Sequence, residues 1–463
     1  MSTTQRRNAA AAVTLLALVT PAACGGEDSG ADADSITVWT TDTLPDRVRA
    51  TEAIIDRFTK ETGVEVELVG VAEDQFTQTL TSAAAADELP DVIGSLSLAS
   101  VRTLDANNLL DTDAAAAVVE SLGADTFSQE ALALTSDGDA QLSVPSEIWS
   151  QLLIYRKDLF EDAGLQPPET YDDIIAAAEE LDSEGVAGFV GPTAPADTFT
   201  QQTFEHIALA NGCELVDDGG GVVLDSSQCV GAFDFYGNLV TNYSVPGAQD
   251  VDTVRAAYFA GKTAMIVWST FILDEMAALR NDALPSCPEC RDDPAFLAKN
   301  SGFVTALQGP DGEEPAQFGE VVSWAIPTGS ATEPAQQFVE YFMSDGYVDW
   351  IAIAPEGKFP AREGTAEEPQ EYVDTWATLP VGVDKKAPLS DFYPPEVLEV
   401  LRTGPEAFDR WGITQGQGDL IGAIMGELPV PQAVAALASG EVDAQTAAED
   451  AAKTVRSIQE SLP

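Results

Sequence analysis

Ile36-Thr37-Val38-Trp39, Val64-Glu65-Val66-Glu67-Leu68-Val69 and Pro90-Asp91-Val92-Ile93-Gly94 are three short runs of strand character with a helical stretch between each pair. The first helical stretch, Arg47 to Thr62, carries Val48, Ile54, Ile55 and Phe58 at helical spacing and stops at Gly63. The second runs from Phe76 to Ala86. Strand, helix, strand, helix, strand of these lengths predicts a parallel α/β sheet, because parallel neighbours need a crossover connection. Ligands of such sheets bind beyond the C-terminal ends of the strands. Here those ends are Trp39–Asp42, Gly70–Asp74 and Ser95–Ser97.

The pattern continues toward the C-terminus. Leu152–Tyr155, Ala264–Trp268 and Val321–Ile326 read as strands, and Tyr171–Asp182 and Phe199–Asn211 as helices. The last hundred or so residues are mostly helical and end in an Ala-rich stretch near Ala444–Gln459. With 463 residues the chain is too long for one compact core, so two domains are expected. The formal net charge is -55, which repels nucleic acid and argues against such a partner. Two readings of that acidity stand side by side: a salty environment that screens the self-repulsion, or a general preference for Asp and Glu as solubilising residues.

Arg6-Arg7, an apolar run from Ala9 to Thr20 and Pro21-Ala22-Ala23-Cys24-Gly25-Gly26 have the order of a secretory signal, and the run is too short to span a bilayer. The junction resembles the lipobox of bacterial lipoproteins, whose mature chain begins at an acylated cysteine. The resemblance implies a signal peptide over 1–23, lipidation at Cys24, export to the outer face of the cell membrane, and a flexible small and acidic tether over 24–34. Four further cysteines, Cys213, Cys229, Cys287 and Cys290, suggest two disulfides, for which three connectivities exist. Cys213 and Cys229 bracket a stretch that reads as a hairpin around an Asp-Gly turn, so a bridge across its base is easy. Cys287-Pro-Glu-Cys290 then closes on itself. As a redox or zinc site it lacks a thioredoxin-like surrounding, and the chain has one histidine, His206, expected to be structural.

Further landmarks follow in order. They are Glu61-Thr62-Gly63-Val64-Glu65-Val66, Leu89-Pro90-Asp91-Val92-Ile93, Val144-Pro145 and Leu153-Ile154-Tyr155-Arg156-Lys157-Asp158-Leu159-Phe160. After them come Pro168-Glu169-Thr170-Tyr171, Phe259-Ala260-Gly261-Lys262-Thr263-Ala264-Met265 and Phe359-Pro360-Ala361-Arg362. Together they resemble the extracellular solute-binding proteins of ABC importers, in the carbohydrate-type cluster typified by maltose-binding protein, from about Ile36 to Leu462. The resemblance implies a two-lobe, class II periplasmic-binding-protein-like fold, each lobe a mainly parallel sheet flanked by helices and hinged at the waist. Residues 35–148 with 321–385 would form the N-terminal lobe, and 149–320 with 386–463 the C-terminal lobe. It also implies a small-molecule ligand in the interlobe cleft, a membrane permease as partner, no cofactor and no metal, and action as a monomer.

A sugar presents flat C–H faces and a rim of hydroxyls, so its cleft needs aromatic platforms with hydrogen-bonding groups around them. Among the seven tryptophans, Trp39 ends the first strand and Trp268 ends another. The resemblance implies ligand contact at Trp149 and stacking at Phe271. Polar candidates at strand ends and crossovers are Thr41, Asp42, Glu73, Ser95, Glu147, Ser269, Glu320 and Arg362. Their acidity favours a neutral or cationic solute. The expected function is capture of a mono- or oligosaccharide; the alternatives are the same fold with a non-sugar solute, and a secreted glycan-acting enzyme using two carboxylates such as Glu73 and Glu147. No HExxH, GxSxG or phosphate-cradling glycine motif is present, and the Asp137-Gly138-Asp139 and Asp217-Asp218-Gly219 segments read as turns.

Overall fold

The computed structural model describes residues 35–72, 75–404 and 408–462. The expected signal peptide, the tether, Cys24 and Glu73 lie outside the described residues. Strand β1 (Ser35–Thr40) pairs in parallel with β2 (Glu65–Gly70) and β3 (Val92–Leu96). Helix α1 (Pro45–Thr62) joins the first two and buries Thr51, Ile54, Ile55 and Phe58. It starts on Pro45 and ends on Gly63, whose φ of 82° suits a residue without a Cβ. Helix α2 (Phe76–Ala86) precedes β3, and α3 (Leu98–Ala106) follows it, capped by the Ser97 side chain.

A 13-residue strand, Val144–Arg156, ties the molecule together. Its first half pairs antiparallel with Gly319–Ala325, which in turn pairs antiparallel with β3. Its second half pairs antiparallel with Met265–Ser269 and Ser301–Val304. Residues 148–151 and 319 therefore form a waist where the two strands pass in opposite directions between the halves. This makes the sheet less parallel than expected: among the named strands, parallel pairing is confined to β1, β2 and β3. The difference follows from the crossing strands, which are longer and more antiparallel than the local apolar runs indicate.

Apolar packing runs through both halves. Beyond β1, Trp324 is 1% exposed and meets Phe338, Phe342 and Trp350 at ring separations of 5.8, 4.9 and 5.0 Å. Gly94 lies under this ring; a Cβ there would sit 2.1 Å from Trp324, so the close approach requires glycine. On the other side, helices Thr198–Ala210, Ser227–Asn242, Pro429–Ala438 and Ala444–Ser461 pack around one cluster that includes Phe204, Phe233 and Trp411. Helix Gly418–Glu427 reaches back to α3, where Thr103 donates to the Gly422 carbonyl at 3.4 Å.

The Cys213–Cys229 and Cys287–Cys290 bridges are formed. The hairpin expected between the first pair is reduced to one bridge, Val216 to Val222, and Cys229 stands in the first turn of helix Ser227–Asn242. Ser226 caps that helix, and the capping hydrogen bond takes Cys229 out of any strand. His206 is fully buried; its Nδ1 accepts the Phe318 amide at 3.1 Å, and burial pushes its pKa down to about 3.

Candidate functional site

A cavity of about 450 Å³ opens between the two halves above the waist. Nine of the sequence-predicted residues line it: Thr41, Asp42, Ser95, Glu147, Trp149, Trp268, Ser269, Phe271 and Glu320. They reach it by the expected route, from strand ends and crossing strands. Thr41 and Asp42 follow β1, and Ser95 is the last residue but one of β3, inside a register shift against Gly319–Ala325. Ser95 has φ 58°, an unusual conformation for a residue with a Cβ, and its carbonyl accepts Thr41 Oγ1 at 2.6 Å.

The aromatic side chains differ in how much ring they offer. Trp149 is half-buried and leans on Phe318 at 5.8 Å. Trp268 is 6% exposed and packs against Phe199 at 4.6 Å, so most of its surface belongs to the core. Phe271 is half-buried, with the Arg47 guanidinium 4.9 Å above its ring and the Gly357 backbone against its edge. A Cβ on Gly357 would come within 2.1 Å of Phe271. Gly357→Ala is expected to displace the Phe271 ring and to change solute affinity, while costing about 1–3 kcal/mol of stability. Denaturant titration and calorimetry on the same variant check both.

The two floor carboxylates are already engaged. Glu147 accepts Lys358 Nζ on Oε1, and the Trp350 indole (2.8 Å) and Ser146 hydroxyl on Oε2. Glu320 accepts the Leu98 amide on Oε1 and Arg410 on Oε2, each at 2.8 Å. Burial pushes the Glu320 pKa up although Arg410 opposes it. Both carboxylates line the cavity, but their hydrogen-bonding capacity is spent chiefly on holding the waist.

Two predicted residues lie elsewhere. Trp39 packs into a cluster with Val71, Phe76, Leu80 and Ile93, because alternation along β1 turns it toward the α2 layer. Arg362 is 5% exposed and spends its guanidinium on the carbonyls of Met343 and Leu122 and on Thr126 Oγ1. The short strand Phe359–Pro360 pairs with Glu147–Ile148 and carries Arg362 inward, away from the cavity.

The cavity also gathers residues with no strong local signal: Arg47, Asp197, Phe199, Arg255, Glu275 and Lys358. Asp197 opens helix Thr198–Ala210, accepting the Phe199 amide at 3.0 Å and the Val251 amide at 3.1 Å. Arg255 bonds Glu275 at 3.1 Å and Asp252 at 2.8 Å. Burial, opposed by Arg255, pushes the Glu275 pKa up to about 7. Only Arg47 stands near a strand end already singled out; the others come from helices and loops far apart in sequence.

Two α/β halves joined by crossing strands, with a mixed aromatic and polar cavity between them, define a two-lobe binding protein. The chain belongs to the bacterial extracellular solute-binding protein family, which it matches over residues 41–349. It is 29% identical over 319 residues to the putative ABC transporter periplasmic-binding protein YcjN of Escherichia coli (strain K12), covering 67% of this chain and 69% of YcjN. Its fold is that of a sugar transporter from Arthrobacter chlorophenolicus A6 with bound laminaribiose, at TM-score 0.71 and 19% identity, over 91% of this chain and 99% of that one. Maltose-bound T. maritima MalE3 superposes at TM-score 0.70 and 18% identity, over 92% and 99% of the two chains.

Proposed function

We propose that this chain is the substrate-binding lipoprotein of an ABC importer, capturing a mono- or oligosaccharide between its lobes and handing it to a membrane permease. The observation that carries the reading is the pairing, in one interlobe cavity, of the half-buried rings of Trp149 and Phe271 with Thr41, Asp42 and Ser269. Rings match the C–H faces of a sugar and the polar groups match its hydroxyls. Proteins of this fold hold maltose and laminaribiose. The spent carboxylates Glu147 and Glu320 favour binding over acid–base chemistry. In this reading residues 35–148 with 321–385, and 149–320 with 386–463, move as two lobes about the waist. Closure then signals occupancy, and acylated Cys24 tethers a monomer to the outer face of the membrane.

A thermal-shift screen against sugars, polyols, amino acids and polyamines tests it. A solute at about a thousand times its dissociation constant adds roughly 4 kcal/mol to the folded state. A sugar hit is the expected result; stabilisation only by amines would overturn the saccharide assignment. With the hit in hand, Trp149→Ala is expected to weaken binding at least about fivefold, since an aromatic stack is worth roughly 1 kcal/mol or more. Calorimetry on a variant with unchanged circular dichroism reads it, and unchanged affinity removes Trp149 from the site.

A further inference from the structure

The cavity continues into an annex of about 80 Å³ between α3 on one side and helices Thr198–Ala210 and Gly418–Glu427 on the other. Ser97, Ser100, Thr198, Gln202 and Glu320 line both spaces, so the annex is a branch of the cleft. Its lining also includes the apolar side chains Phe76, Ile421, Ile424 and Met425. A space of this size holds a group of a few heavy atoms, not a sugar ring.

Glu205 lines the annex alone and is 4% exposed. Its Oε1 accepts Arg410 Nε at 3.2 Å and the Trp411 amide at 3.0 Å. Its Oε2 has no hydrogen-bond partner among the described residues. Arg410 also serves Glu320, and its guanidinium lies 4.4 Å from the centre of the Phe318 ring. Two buried carboxylates thus share one guanidinium, and no other ion pair joins either of them among the described residues. Glu205, Glu320 and Arg410 all line the annex, so its wall formally holds two carboxylates for one guanidinium, beside a space large enough for a small cation. A buried charge without a counter-charge is costly, and an ammonium placed there would relieve that cost while filling the free acceptor.

We propose that the annex is an ammonium subsite, in which Glu205 Oε2 accepts a hydrogen bond from a protonated primary amine on the solute. This rests on the saccharide reading and narrows it to an amino sugar whose ring lies in the main cavity. Both lobes wall the annex, so an amine there also favours the closed arrangement.

The test compares three β-1,4 disaccharides that differ only at C2 of each ring: cellobiose, the glucosamine disaccharide and N,N′-diacetylchitobiose, by calorimetry with the purified protein. The glucosamine disaccharide is expected to bind at least about tenfold tighter than the other two. Glu205→Gln is expected to remove the preference. Should that variant fail to fold, Met425→Lys places a tethered ammonium at the annex and is expected to remove the preference as well. Equal affinities in the wild type, or a preference that survives both variants, overturns the proposal. Binding of neutral sugars without any of this series rejects the amine subsite and leaves the saccharide reading intact. Binding of methylammonium or spermidine that is lost in Glu205→Gln, with no saccharide bound, keeps the subsite and rejects the saccharide reading. Silence from every probe rejects both.

Discussion

Arg410→Met is expected to lower the unfolding free energy by about 3–5 kcal/mol at pH 8, because it strands two buried carboxylates at once. Arg410 is 6% exposed and bonds both Glu205 and Glu320. Its guanidinium also reaches the Gly319 carbonyl at the waist. The loss should shrink toward acid pH. Burial already holds the Glu320 pKa above the usual carboxylate range with Arg410 present, and removing the cation raises it further. A carboxyl with a raised folded-state pKa destabilises the fold when ionised, so the penalty is present at high pH and relieved as pH falls. Urea titrations at pH 8 and pH 5 check this, and adding Glu205→Gln and Glu320→Gln to Arg410→Met should recover part of the stability at pH 8. An unchanged midpoint at pH 8 would mean that water replaces the guanidinium without cost.

The second large effect is a fall in wild-type stability from pH 5.5 to pH 8.5. Glu275 lines the cavity, Asp274 neighbours both it and Glu356, and each of the three has a buried oxygen without a hydrogen-bond partner among the described residues. Asp274 follows the Met265–Ser269 strand, whereas Glu356 precedes the Phe359–Pro360 strand, which pairs with the opposite end of Val144–Arg156. Burial raises all three pKa values, Glu275 to about 7, and the Asp274 charge raises Glu356 further. Arg47, Arg280, Arg255 and Lys386 oppose the rise without cancelling it. The folded chain therefore holds protons that the unfolded chain releases above about pH 4.5, so unfolding is favoured as pH climbs. Melting temperature should drop by several degrees across this range in moderate salt. Glu356→Gln should flatten the drop, which separates this cluster from the general repulsion of a chain of net charge -55. A melting temperature that is level or rises to pH 8.5 would contradict it.

Gly357 and Phe271 show where local pattern stops being informative. Nothing in Pro355-Glu356-Gly357 marks the glycine as more than a turn, yet its missing side chain lets an aromatic from the other half of the molecule seat against it. Arg362 shows the converse: its motif stands out in sequence, but its guanidinium is consumed by three groups inside one half. Asp197 and Phe199 reach the cavity from a helix start, and Arg255 from the middle of helix Val251–Phe259, with no signal of convergence in either.

By itself the sequence determined the periodicities, and through them β1, α1, β2, α2, β3 and the helical C-terminus. It also determined that residues following strand ends would face a common opening, because a parallel crossover puts those ends on one edge. Glu147 and Glu320 were legible as residues at the cleft, because each stands beside a crossing point. Only the tertiary structure decided that Lys358, Trp350, Leu98 and Arg410 would occupy their oxygens, and that Glu205 would keep one oxygen without a partner among the described residues. The physical reason is distance along the chain. Periodicity records which way a side chain points from its own element, whereas hydrogen bonds and charge compensation depend on groups about 90 to 220 residues away that meet only when the two halves close on the waist.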